Sequence, residues 1–338
     1  MSYLMTKLKN IINSKFTIYI FSFVVVIIFL FCIYSNKKNN KNEEKIEKIK
    51  IQTALRPVSD FLNEKIKPKL QEKGVELEVL HIESYTKNHD DLVNKKCDAK
   101  LDSHLPWSYF QNEDKNIKTE IEVLSLLYFP KFAIYSLKES SINNEESLKN
   151  KFNENKEIKM LLPEERTQKT LALRLLENLK LIERKNDRTD DRLTTKEKFQ
   201  LSQQDFVIKP NIKMEFSNAL TGFFNQFKGG NYDICCNYPK VLGNNNLQNF
   251  LNTISTIELN EDTEKNEEDY KDPLLPYIIS IIVRKESLSQ TKIQKLKEVF
   301  EDKEILKSYW EKEKEFACGL QKYDIQKVIF NINNSQFQ

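Results

Sequence analysis

Glycine, histidine and tryptophan are scarce: the 338 residues hold 6 glycines, 3 histidines and 2 tryptophans. So little glycine leaves no Gly-rich turn to cradle a phosphate, and HExxH, GxSxG and CxxC are also absent. The histidines, His81, His89 and His104, leave little room for metal or triad chemistry. Ser103 and His104 are adjacent, but neighbours on an extended chain point to opposite sides and do not make a nucleophile–base pair. Cys32, Cys97, Cys235, Cys236 and Cys318 form an odd set without metal-ligand spacing, and adjacent cysteines such as Cys235 and Cys236 rarely bridge. Charge of one sign is lacking too. The 53 basic residues meet 50 acidic ones for a net +3, an interleaved balance that argues against nucleic-acid binding. The acidic pairs Asp90-Asp91, Glu164-Glu165 and Asp190-Asp191 read as solvated loop or helix-cap residues. The expectation is a protein that is not an enzyme and carries no cofactor or metal.

What the chain does have is one long apolar run, Phe16–Tyr34, free of charge, proline and glycine. At about 1.5 Å per residue, a helix of that length spans a bilayer core. Lys7, Lys9 and Lys15 precede it and Lys37, Lys38 and Lys41 follow it, so lysine counts leave the orientation open. The expected division is a short segment 1–15, a transmembrane signal anchor 16–35 and a polar linker 36–48. A signal peptide cut near Ser35 is the alternative. Lipidation at Cys32 is disfavoured, because Phe31 stands where a lipobox needs a small residue. An export element places the remainder outside the cytoplasm, at the cell membrane.

From Ile49 the pattern changes. IKIQTAL alternates as a strand does, and Val58, Phe61, Leu62, Ile66 and Leu70 then recur at helical spacing. Pro57 suits the helix start, Pro68 predicts a kink or an end, and Gly74 closes the unit before VELEVLHI alternates again. This β-α-β beginning continues with short helices over Asp90–Cys97 and Leu105–Asn112 and strands over Ile121–Phe129 and Phe132–Ser136. Thr170–Leu181 reads as an amphipathic helix and Arg184–Gln204 as a charged, mobile insertion. Tyr277–Arg284, almost wholly apolar, reads as a central strand buried on both faces. One long helix is expected over Thr291–Lys314. Two strands abutting at Pro130 with no helix between them suit a chain crossing from one sheet to another. The fold class is α/β and bilobed, with lobe 1 from 49–129 plus 245–338 and lobe 2 from 130–244.

At CDAKLDSHLPW (Cys97–Trp107) the chain resembles the NlpA/MetQ family, the substrate-binding lipoproteins of methionine-type ABC transporters. KPKLQEKGVELEVLHIESY, YFPKFAIYSLKESS, LLPEERTQKTLALRLLENLKLI and LPYIISIIVRKES resemble further family segments in the right order, so the likeness runs from Ile49 to Trp310. The resemblance implies a periplasmic-binding-protein-like fold of two α/β lobes with two crossovers and a ligand between them. It implies an extracytoplasmic substrate-binding subunit, engaging ABC permease subunits and carrying methionine, a related amino acid or a short peptide. Family pocket positions fall on Tyr85, Asp102, His104, Gln168, Leu171, Cys235 and Tyr238. Tyr85, His104 and Tyr238 keep the family's rings. Leu171 replaces the arginine that clamps a ligand carboxylate, with Arg174 and Arg166 as candidate substitutes. Asp102 is a candidate partner for a ligand ammonium. The competing expectation is a membrane-anchored surface interaction protein that kept the scaffold while its pocket degenerated.

Overall fold

The computed structural model describes residues 4, 5, 7, 46–219, 222–242, 247–259 and 263–335. The expected membrane span at 16–35 lies outside the described residues, and among the described residues no helix is long and apolar enough to cross a membrane. The chain divides into the units Met1–Glu47 and Lys48–Gln338, and the second carries both main sheets.

The first sheet has the order β13-β4-β12-β3-β1-β2. Strand β1 (Glu47–Thr53) leads into α1 (Arg56–Phe61), which passes through a π-helical turn, Leu62–Ile66, into α2 (Lys67–Glu72). In that turn the Lys67 N–H reaches back to the Leu62 carbonyl. Pro68 supplies no N–H and its ring crowds the preceding turn, so the expected kink is taken up as a π-bulge. Gly74, at φ +74°, makes the left-handed exit to β2 (Val75–His81). Next come α3 (Tyr85–Val93), β3 (Ala99–Ser103), α4 (Leu105–Asp114) and β4 (Ile121–Pro130). The helix expected over Asp90–Cys97 starts earlier, because Ser84 caps the Lys87 N–H.

The second sheet has the order β11-β5-β10-β6-β9. It is built from β5 (Phe132–Leu137), α5 (Glu145–Asn153), β6 (Ile158–Pro163), α6 (Arg166–Asn178), a small hairpin of β7 (Ile182–Arg184) with β8 (Phe206–Ile208), and β9 (Ile212–Ser217). Then follow α7 (Phe223–Gly229), β10 (Ile234–Asn237), α8 (Pro239–Leu242), α9 (Leu247–Phe250) and β11 (Leu251–Ile257). The outward crossing comes between β4 and β5, where the pattern around Pro130 places it. The return, expected near residue 244, comes only after Ile257. Strand β11 pairs antiparallel with β5 from Leu251↔Leu137 to Ile257↔Phe132, which keeps it in the second sheet.

Strand β12 (Ile279–Arg284) rejoins the first sheet between β4 and β3, and all its residues are buried, as a central strand requires. Arg284 at its end donates to the Leu92 and Cys97 carbonyls at 2.6 and 2.7 Å. The single helix expected over Thr291–Lys314 divides into α10 (Thr291–Phe300) and α11 (Lys303–Glu313), since Asp302 caps the second by accepting from the Glu304 and Ile305 N–H groups. Trp310 is 2% exposed, and its indole N–H bonds the Leu127 carbonyl. Strand β13 (Ala317–Cys318) and α12 (Ile325–Asn334) complete this layer.

The segment read as a mobile insertion is tied down. Leu193, Phe199 and Leu201 are buried, Arg174 forks onto Asp190, and Arg188 holds Glu197 and Asp205. Hydrogen bonds from the Thr194 backbone and hydroxyl, joined by Arg188, depress the Glu197 carboxyl pKa to about 2. A depressed carboxylate stabilises the fold above its unfolded pKa and loses that contribution as pH falls toward its folded value. Thermal unfolding midpoints are therefore expected to fall from about pH 4.5 to pH 2, and Glu197→Gln to flatten part of that slope. The cost of this variant at pH 7 is expected to be about 1 kcal/mol or less, because the pair is near the surface.

Candidate functional site

Between the two sheets lies a cavity of about 520 Å³. Strand β3 and α4 supply Asp102, Ser103, His104 and Trp107; the start of α3 supplies Tyr85; the start of α6 supplies Glu165 and Gln168; the end of β10 leads to Tyr238. Five of the eight expected site residues, Tyr85, Asp102, His104, Gln168 and Tyr238, thus come together. Their distance in sequence, from 85 to 238, spans the outward crossing between β4 and β5.

The cavity lies beside a fully buried charge pair. Lys100 and Asp102 are two apart on β3, so they share a face of the strand. Both side chains have zero exposure, and the Lys100 Nζ lies 3.3 Å from Asp102 Oδ1. Lys100 also donates to Ser103 Oγ and sits 4.6 Å above the Trp107 ring. The Asn88 amide donates to the other Asp102 oxygen at 2.7 Å. Burial pulls the Lys100 ammonium pKa downward while Asp102 opposes that pull. Sequence reading singled out Asp102 but missed Lys100. A lysine inside a strand is normally assigned to solvent; only its i, i+2 relation to Asp102 hinted otherwise.

His104 is neutral. Burial, with Lys100 adding to it, lowers its pKa to about 3. Its Nδ1 accepts the Trp107 N–H at 3.3 Å, leaving Nε2 to donate to Thr167 Oγ1 at 3.4 Å. Thr167 in turn donates to Glu165 Oε2 at 2.6 Å. This chain of hydrogen bonds joins the first sheet's α4 to the second sheet's α6, and Tyr277 packs edge-on against the His104 ring. Tyr85 has its hydroxyl pKa raised to about 12 by burial and by Asp102. Tyr238 stacks edge-on against Phe132, and its buried hydroxyl has no hydrogen-bond partner among the described residues.

Three expected site residues are elsewhere. Leu171 has zero exposure and belongs to the apolar core behind α6. Cys235 is equally buried, in a cluster with Phe223 and Phe227 on β10's far side from the main core. Arg174 is committed to Asp190 at 2.8 and 3.1 Å and to the Lys198 carbonyl. Arg166, the other candidate clamp, lies over Phe110 and pairs with Asp114 and Glu113. Neither arginine lines the cavity.

Residues 49–216 match the family model described as NlpA lipoprotein. No curated protein matches the sequence. Among solved structures, the chain is similar to a putative methionine-binding lipoprotein from Bacillus subtilis, at 19% identity and TM-score 0.60, covering 81% of this chain and 98% of that one. A nutrient binding protein from Burkholderia cenocepacia bound to methionine gives 18% identity and TM-score 0.56, with 79% and 96% covered. A periplasmic substrate-binding protein of an ABC transporter from Coxiella burnetii gives 16% identity and TM-score 0.57, with 78% and 96% covered.

Proposed function

We propose, for a chain that belongs to the NlpA lipoprotein family across residues 49–216, that the cavity between its sheets holds a small-molecule cargo for an ABC importer. The cargo class is a methionine-type amino acid derivative or short peptide. The protein acts outside the cytoplasm, held at the membrane by its N-terminal segment, and hands its cargo to permease subunits. The two sheets serve as the two lobes. The observation that carries this reading is the convergence of Tyr85, His104, Gln168 and Tyr238 on one cavity of about 520 Å³, a volume within the range of small-molecule sites. Aromatic faces hold the apolar body of the ligand, while the Gln168 amide and the unpartnered Tyr238 hydroxyl meet its polar groups. No catalytic step is proposed.

The second reading, a surface interaction protein with a degenerate pocket, draws on the missing arginine clamp. The retained cavity and its rings weigh against it.

Thermal unfolding of the full chain in detergent, against amino acids of both hands, their amides and methionine-containing dipeptides, separates the two. A ligand at a hundred times its Kd adds about 2.7 kcal/mol, which raises the midpoint by several degrees. A clear rise with one chemical class is the expected result. A folded protein that none of these compounds stabilises favours the interaction reading.

A further inference from the structure

We infer that Glu165 is the counter-ion for a primary ammonium group on the ligand of this cavity; this rests on the cargo-binding reading and deepens it. Three carboxylates line the cavity, those of Glu83, Asp102 and Glu165, and their surroundings differ.

Asp102 is already engaged. Lys100 meets one of its oxygens at 3.3 Å and the Asn88 amide donates to the other at 2.7 Å, so both oxygens are taken and the charge is balanced. Glu83 is exposed, where solvent and salt screen its charge. Glu165 is half-buried, and among the described residues no lysine or arginine pairs with it. Its chain neighbours turn elsewhere: Arg166 to Asp114, and Lys169 to Glu164 at 2.6 Å.

The fold also fixes this carboxylate while leaving one oxygen available. As the N-cap of α6, Glu165 accepts through Oε2 from the Thr167 hydroxyl at 2.6 Å and the Gln168 N–H at 2.9 Å. Its Oε1 accepts no hydrogen bond from the described residues and is not enclosed by protein. The dipole of α6 offsets only about half a unit charge. A ligand cation would meet a preset, uncompensated anion here.

An ammonium group brings three N–H donors. Beside Glu165 Oε1 the cavity offers two neutral acceptors, the Tyr238 hydroxyl oxygen and the Gln168 side-chain carbonyl. The Tyr238 hydroxyl is buried and unpartnered among the described residues. It lies within electrostatic reach of Glu165, since burial, then Tyr277 and then the Glu165 charge push its pKa up. A charge-assisted bond is about twice as strong as a neutral one, so Glu165 supplies the selectivity and the neutral pair the direction. The chemical class is an unblocked primary amine beside an apolar body: an amino acid derivative, or the free N-terminus of a short peptide.

The test is calorimetric titration of the full chain in detergent at about pH 6, where α-amino groups are protonated. The probes are methioninamide and methionyl-methioninamide, each with its N-acetyl form. Each unblocked compound is expected to bind at least tenfold more tightly than its acetylated counterpart. Glu165→Gln, whose side-chain carbonyl can still accept from Thr167 and the Gln168 N–H, is expected to lower that preference to threefold or less. The unfolding midpoint of the ligand-free variant checks that the helix cap survives. Acetylated forms that bind the unaltered protein as tightly as the amines overturn the inference and leave the cargo-binding reading standing. So does a folded Glu165→Gln protein that keeps the preference, or a preference that Glu83→Gln removes instead. An equal loss for both members of each pair shows a structural role for Glu165 and likewise overturns it. Binding only by compounds without an amine overturns the inference alone; no binding by any compound, the wider panel included, overturns the cargo-binding reading as well.

Discussion

Leu171→Arg is expected to destabilise the fold by about 4 kcal/mol or more, without creating affinity for free amino acids. The resemblance to the NlpA/MetQ family aligns a carboxylate-clamping arginine with this position, so the substitution looks like a restoration. The structure gives it a different outcome. Leu171 has zero exposure and sits in the apolar core between α6 and its sheet. An arginine there would hold its guanidinium unpaired in an apolar interior or force α6 off the sheet. Leu171→Met, which conserves volume, is expected to cost less than about 1.5 kcal/mol. Denaturant midpoints of the two variants, measured side by side, check the contrast. If Leu171→Arg is as stable as Leu171→Met and gains methionine binding, the position faces the cavity and the assignment here is wrong.

Lys100→Met is expected to cost about 3–5 kcal/mol, because it removes the cation beside the buried Asp102 carboxyl and leaves it only the Asn88 amide for company. For a chain of this length each kcal/mol moves the unfolding midpoint by about 2 °C, so a fall of about 6–10 °C follows. The double variant Lys100→Met with Asp102→Leu is expected to recover most of that loss, since replacing both members of a buried pair removes the desolvation penalty along with the attraction. Non-additivity of this size is the signature of a direct pair, read from a double-mutant cycle. Two independent losses that simply add would show that Lys100 and Asp102 do not depend on each other.

These two expectations mark where the sequence could and could not be read. The β-α-β opening was legible because Ile49, Ile51, Leu77 and Val79 alternate and Gly74 ends the helix between them. Strand β12 announced itself by its almost wholly apolar run, and the crossing at Pro130 by two strands with no helix between them. Strand β11 was hidden: LNTISTI mixes polar residues into a strand that is only partly buried, and its place depends on β5 a hundred residues earlier. The site divides in the same way. Tyr85, His104 and Tyr238 sit beside short motifs, and all three line the cavity. Arg174 looked available because its partner Asp190 lies in a charged segment with no periodicity, so nothing local signalled the fork between them. Lys100 was missed for the opposite reason. Lysine in a strand is usually a solvated residue, and its burial becomes understandable only when Asp102, Asn88 and Trp107 are seen around it.

The central claim is that a small ligand enters the cavity between the sheets, and tryptophan fluorescence tests it most directly. The chain has two tryptophans: Trp107 lines the cavity, and Trp310 is 2% exposed in the core of the first layer. Titrating the full chain with whichever amide or peptide stabilises it should give a saturable change in emission that Trp107→Phe abolishes and Trp310→Phe preserves. A saturable change that survives Trp107→Phe, or stabilisation by the ligand with no change in Trp107 emission, would place the ligand elsewhere and contradict the assignment of this cavity.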